Sequence, residues 1–153
     1  MECFGEILDM VRRKGPVVHS ITNYVTVNDC ANIILAAGGS PIMADDAAEV
    51  EQIVALSSAL VINIGTLNER TVASMLAAGK RANALNIPVV LDPVGAGASD
   101  LRNNTLRRLL QDVRFAVIKG NSSEIRFLAG EKATARGVDS DEGVMVSEGK
   151  ISE

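Results

Sequence analysis

The sequence predicts an α/β fold, a mostly parallel sheet with helices on both faces, and three observations carry that prediction. Short aliphatic runs alternate with helix-periodic segments along most of the chain. The connections between them are brief, which suits strand–helix–strand units. Finally, 47% of the residues are hydrophobic but only 3% are aromatic. The core must therefore come from Ala, Val, Ile and Leu, as in small-residue helices packed on aliphatic strands.

Each element follows from local pattern. Phe4, Ile7, Leu8 and Val11 recur at helical spacing, and Gly15-Pro16 ends that helix. Val17-Val18-His19 is a short strand. From near Thr26 to Ala37 the residues are small or aliphatic nearly all round, which predicts a buried helix stopped by Gly38-Gly39. Pro41-Ile42-Met43 is a brief strand, and Asp45-Asp46 is expected to cap a helix from Ala48 to Leu56. Ala59 to Ile64 is a continuous apolar strand, Gly65-Thr66 its turn, and Asn68 the cap of a helix reaching about Leu85. Pro88 to Leu91 is a strand, Asp100 to Asp112 a helix, Phe115 to Ile118 another strand, and Asn121 opens a helix ending at Ala129-Gly130. Beyond Glu131 apolar density falls, and Val144-Met145-Val146 with Lys150-Ile151 suggests one small hairpin.

The totals exclude several function classes. A chain of 153 residues is one domain's worth. Its net charge of −4 and lack of a basic run argue against nucleic acid as a partner. Two cysteines without metal-ligand spacing make neither a disulfide framework nor a zinc site. No apolar run approaches a membrane span, and Glu2, Glu6 and Asp9 interrupt any signal-like opening, so a cytoplasmic protein without membrane contact is expected. The single histidine, His19, lacks a reactive serine partner, which discounts hydrolase chemistry.

Two strand endings carry the chemistry. Val89-Val90-Leu91 runs into Asp92-Pro93-Val94-Gly95-Ala96-Gly97, and Ala116-Val117-Ile118 runs into Lys119-Gly120-Asn121-Ser122-Ser123-Glu124. Open parallel sheets bind ligands at the carboxyl ends of their strands. Two acids, one lysine and glycine-rich turns placed there suit a polyphosphate and its Mg²⁺. The plain alternatives are a turn for the first segment and helix capping for the second, with Asn121 and Glu124 forming an approximate capping box. Gly95-Ala96-Gly97 lacks the third glycine of a dinucleotide fingerprint, and Gly79-Lys80 lacks the rest of a P-loop. Other strand ends offer Asn23 as an amide for a polar substrate, Met43 as a soft contact for a flat heteroaromatic ring, and Gly65 as bare backbone.

Together, His19-Ser20-Ile21-Thr22-Asn23, Gly39-Ser40-Pro41-Ile42-Met43, Asn63-Ile64-Gly65-Thr66 and the two strand endings above closely resemble the hydroxyethylthiazole kinase family. The resemblance implies a ribokinase-like fold, usually trimeric, that transfers the γ-phosphoryl of ATP with Mg²⁺ to the alcohol of 4-methyl-5-(2-hydroxyethyl)thiazole in thiamine salvage. It implies Met43, Asn23 and Gly65 as thiazole contacts, and Lys119 and Asn121 as ATP contacts, Lys119 standing where the family commonly has Arg. It implies Asp92 and Glu124 as the catalytic and metal-binding acids. The family's later Gly-Thr-Gly-type loop, which receives the transferred phosphoryl, has no counterpart in this sequence. On this reading residues 1–140 are the N-terminal part of the kinase domain and 141–153 a shortened tail. The alternative is a non-catalytic remnant that binds thiazole or associates with other subunits.

Overall fold

The structure, a computed structural model, describes residues 4–130. The expected tail hairpin and the boundary at residue 140 lie outside those residues. In chain order the elements are α1 (Phe4–Lys14), β1 (Val17–Ile21), α2 (Val27–Ala37), β2 (Ser40–Ile42), α3 (Val50–Ala55), β3 (Ala59–Asn63), α4 (Glu69–Ala84), β4 (Val89–Asp92), α5 (Asp100–Asp112), β5 (Val117–Ile118) and α6 (Ser122–Leu128).

The five strands form one sheet in the order β2-β1-β3-β4-β5, and every pairing is parallel. The step from β1 to β2 runs toward one edge, and the remaining steps run toward the other. Because strand–helix–strand crossovers are right-handed, α2 lies on one face and α3, α4 and α5 lie on the opposite one. The contacts agree, with α1 against α2 and α4 against both α3 and α5.

The core lies between the sheet and the layer of α3, α4 and α5. Leu60, Ile62, Val89 and Leu91 from the strands meet Val50, Val54, Met75, Ala78, Leu106 and Leu109 from the helices, all of them buried. Side chains alternate across a strand. With Ile62 and Leu91 turned into this core, the next residues, Asn63 and Asp92, point to the other face, opposite each other in register. Gly79 lets α4 approach the chain after α5, since a Cβ there would come within 2.7 Å of Val113 Cγ2.

Three expectations need correction. Helix α2 is not a buried helix: none of its residues is buried, and Ile33 is 67% exposed. An all-round apolar helix needs cover on several sides, and the described residues cover this one in part, through α1 and β2. Asp45-Asp46 does not cap a helix from Ala48, for that helix begins at Val50 behind Glu49, which makes no side-chain cap bond. Asp46 Oδ1 instead accepts from the Ala48 N–H in a local turn, and Asp45 pairs with Arg70. Finally, β5 is reduced to two residues, although the Ala116 N–H already donates to Val89 O. The caps at Asn68 and Asn121 stand as expected, each as a full capping box.

His19 shows how the core handles its one histidine. It is fully buried on β1, and Nε2–H donates to Ala44 O at 2.8 Å, which leaves Nδ1 as an acceptor without a partner among the described residues. Burial holds its pKa below the usual 6.5, against smaller opposing effects of the Ala44 bond and the Glu49 charge. The folded state therefore resists protonation that the unfolded chain accepts. His19 contributes stability that is intact above the unfolded value and is lost as pH falls below it toward the folded value. We expect the urea midpoint to decline between about pH 7 and pH 5.5, and the decline to vanish in His19→Leu.

Candidate active site

Sheet order locates the crevice before any side chain is considered. The chain leaves β1 toward one edge and leaves β3 toward the other, so the carboxyl ends of β1 and β3 flank a topological switch point, the usual ligand position in open parallel sheets. Asn23 follows β1 and Gly65 follows β3 there, two of the residues expected to line a substrate pocket.

The crevice is tightly built. Asn23 Oδ1 accepts from the Val25 and Thr26 N–H groups and from Thr26 Oγ1, shaping the approach to α2. Asn23 Nδ2 donates to Asn63 Oδ1 at 3.1 Å, and the Gly65 N–H donates to that same oxygen at 2.9 Å. Gly65 is required by crowding, since a Cβ there would stand 2.9 Å from Asn23 Cβ and 3.0 Å from Asn63 Oδ1. Gly65→Ala should cost about 1–3 kcal/mol of stability by overpacking, readable as a lowered urea midpoint.

From Asn63 the network continues across the sheet. Asn63 Nδ2 donates to Asp92 Oδ2 at 2.9 Å, and Lys119 Nζ reaches the same oxygen at 3.1 Å. Hydrogen bonds thus join Asn23, Asn63, Asp92 and Lys119 along the carboxyl ends of β1, β3, β4 and β5. Both bonds to Asp92 fall on Oδ2, and neither uses Oδ1. The Lys119 side chain is 65% exposed and that of Asp92 is 18% exposed, so their ion pair is held weakly, at about 0–1 kcal/mol.

Glu124 stands in a different state from Asp92. It is 4% exposed, and both carboxylate oxygens accept from backbone, Oε1 from the Gly95 N–H at 3.0 Å and Oε2 from the Asn121 N–H at 2.9 Å. Asn121 closes the capping box through Oδ1, which accepts from the Glu124 N–H. Asp92, Lys119, Asn121 and Glu124 are therefore gathered at the ends of β4 and β5. Met43 is half-buried just past β2 on the same rim, three strands from Asp92, which is about 14 Å at ordinary strand spacing. Its loop is tied down by Asp45, whose carboxylate takes Arg70 in a two-pronged pair at 3.1 Å.

Sequence reasoning singled out neither Arg70 nor Arg102. Arg102, in the first turn of α5, donates to Ile64 O, Gly65 O and Val94 O at 2.6–2.8 Å. Its signal in the sequence is faint: an arginine one turn beyond a Ser99 cap and a pair of loop glycines. Among the described residues no group of three or more His, Cys, Asp or Glu is assembled to hold a metal by protein ligands alone. Of the two acids expected to face Mg²⁺, Asp92 offers an oxygen, Oδ1, that neither of its bonds uses, while each Glu124 oxygen already accepts a backbone N–H.

Known proteins resemble this chain in sequence and fold. The model of the hydroxyethylthiazole kinase family matches residues 8–151. A hydroxyethylthiazole kinase of Desulfovibrio desulfuricans is 73% identical over 151 residues, which are 99% of this chain and 53% of that protein. One from Clostridium beijerinckii is 64% identical over 138 residues, 90% of this chain and 50% of its own length. The solved structure of hydroxyethylthiazole kinase from Pyrococcus horikoshii superposes with a TM-score of 0.79 at 46% identity, covering 82% of this chain and 49% of that one. The chain spans about half the length of the curated relatives it matches. Among the described residues no helix is long and apolar enough to cross a membrane.

Proposed function

The chain belongs to the hydroxyethylthiazole kinase family, and from that premise we propose that it serves the transfer of the γ-phosphoryl of ATP to the alcohol of 4-methyl-5-(2-hydroxyethyl)thiazole, a step of thiamine salvage in the cytoplasm. One observation carries the reading: the hydrogen-bonded line from Asn23 through Asn63 and Asp92 to Lys119. It joins the switch-point crevice to an acid and a lysine at the neighbouring strand ends, so an alcohol held at one end lies beside phosphate handled at the other.

Within this proposal Met43, Asn23 and Gly65 hold the thiazole. Lys119 and Asn121 receive the polyphosphate, Lys119 exchanging its weak pair with Asp92 for a phosphate oxygen at little cost. Asp92 is the acid that faces Mg²⁺, through water or through Oδ1. The ion would neutralise charge on the transferring group, and the residues around it act by positioning rather than by covalent chemistry. Glu124, with both oxygens engaged by backbone, holds the loop that follows Asp92 and keeps it against α6. The sequence contains no Gly-Thr-Gly-type loop, so the proposal gives this chain the alcohol, the metal acid and the lysine, and leaves the receiving anion site to other residues. The exposed side chains of Tyr24 and Val25 after β1, and of Ile33 and Leu35 farther along α2, support association with further subunits.

The experiment is transfer of label from γ-labelled ATP to the thiazole alcohol, with thiazole binding followed in parallel. Turnover that needs magnesium supports the full reading. Thiazole binding without turnover leaves the chain as the substrate-binding part of the site. Absence of both would end the proposal.

A further inference from the structure

Arg102 makes an unusual use of a guanidinium. Its three described bonds go to backbone carbonyls rather than to a carboxylate, and the carbonyls come from two loops, Ile64 O and Gly65 O after β3 and Val94 O after β4. A trans peptide is planar and its C=O and N–H point in opposite directions, and no peptide bond among the described residues is cis. The Ile64–Gly65 peptide is therefore gripped at both ends, by Arg102 on its oxygen and by Asn63 Oδ1 on the Gly65 N–H. The Val94–Gly95 peptide is gripped in the same way, by Arg102 on its oxygen and by Glu124 Oε1 on the Gly95 N–H. One side chain thus sets two peptide planes, one beside the crevice and one in the loop that follows Asp92.

The local sequence builds this grip. The Ser99 hydroxyl accepts from the Arg102 N–H and starts α5, which puts Arg102 in the first turn facing back over the loop, while Asn103 Oδ1 accepts from the Gly97 N–H. Gly95 has φ of 71°, and a Cβ there would lie 3.2 Å from the guanidinium. The loop admits Arg102 because it is glycine at that point.

We propose that Arg102 is a positioning residue for phosphoryl transfer, fixing the Gly65 and Gly95 peptides so that the thiazole crevice and the Asp92 carboxylate keep one mutual geometry. This rests on the function proposed above for the same site. A lysine can satisfy one of the three carbonyls well but lacks the planar fork that spans both loops.

The test compares wild type with Arg102→Lys and Arg102→Gln by backbone amide exchange and by labelled-ATP kinetics. The expected result is exchange about tenfold faster at the Gly65 and Gly95 N–H groups, with Leu60, Ile62 and Leu91 unchanged. It also includes kcat lower by about tenfold or more with KM values within about threefold, and partial recovery of Arg102→Ala by added guanidinium. Two results would overturn the inference: unchanged exchange at Gly65 and Gly95, or an equal rise at the core amides, which marks a general structural role. If the wild-type chain binds thiazole without turnover, thiazole affinity replaces the kinetics as the functional readout and the exchange comparison decides the role of Arg102; if it shows neither, the functional reading fails for this chain while the exchange comparison still decides that role.

Discussion

Asp92→Asn should lower magnesium-dependent phosphoryl transfer by about a hundredfold or more while leaving thiazole affinity within about twofold. The substitution isolates charge from shape. An amide at this position still offers an oxygen to Asn63 Nδ2, so the line of hydrogen bonds across the strand ends survives at that link. What disappears is the negative charge that pairs with Lys119 and that would face the metal. Because Lys119 is largely exposed, losing its partner should change the unfolding free energy by less than about 1 kcal/mol. Turnover and stability therefore separate, and both can be read on one preparation by labelled-ATP assay and urea titration. Parallel losses in turnover, thiazole affinity and stability would make Asp92 a structural residue and remove it from the reaction.

Much of the architecture was legible because its causes are local. The run from Ala59 to Ile62 is apolar without alternation, as suits a strand covered on both faces, and it lies in β3. Asn68 and Asn121 announce their helices because a cap acts within three residues. The failures came where a distant residue decided the outcome. Asp45 has the chemistry of a cap, but Arg70, 25 residues away, captures it. The apolar surface of α2 specifies burial without saying what supplies it, and the described residues leave Ile33 and Leu35 exposed.

The site divides in the same way. Asp92, Lys119 and Glu124 were visible as polar residues ending apolar runs, and the fold does bring them to one rim. The line through Asn63 required knowing that Asn63 and Asp92 are register partners, which no local pattern gives. Arg102 was hidden most deeply, since its carbonyl partners at residues 64 and 65 lie 38 and 37 positions earlier. An arginine in the first turn of a helix ordinarily reads as solvated surface.

Glu124 separates the two kinds of acid most sharply, and its removal should have the largest effect on stability. Within the capping box its carboxylate satisfies the Asn121 N–H, a local role that sequence spacing already suggested. Its other oxygen holds the Gly95 N–H from a different strand ending, 29 residues earlier. Glu124→Ala leaves both donors without their acceptor in a site where the side chain is 4% exposed. Lost charge-assisted bonds to two half-buried donors put the expected cost at about 2–4 kcal/mol. Glu124→Gln keeps one acceptor oxygen but turns an NH₂ toward the second N–H, so about half of that cost should remain. Urea titration measures the stability loss, and amide exchange at Gly95 measures release of the loop. A mainly metal-binding role predicts the contrary pattern: near-native stability in both variants, with the loss confined to magnesium-dependent turnover. The two acids would then be equivalent. From the buried, doubly engaged carboxylate at 124 and the open Oδ1 at 92 we expect that they are not.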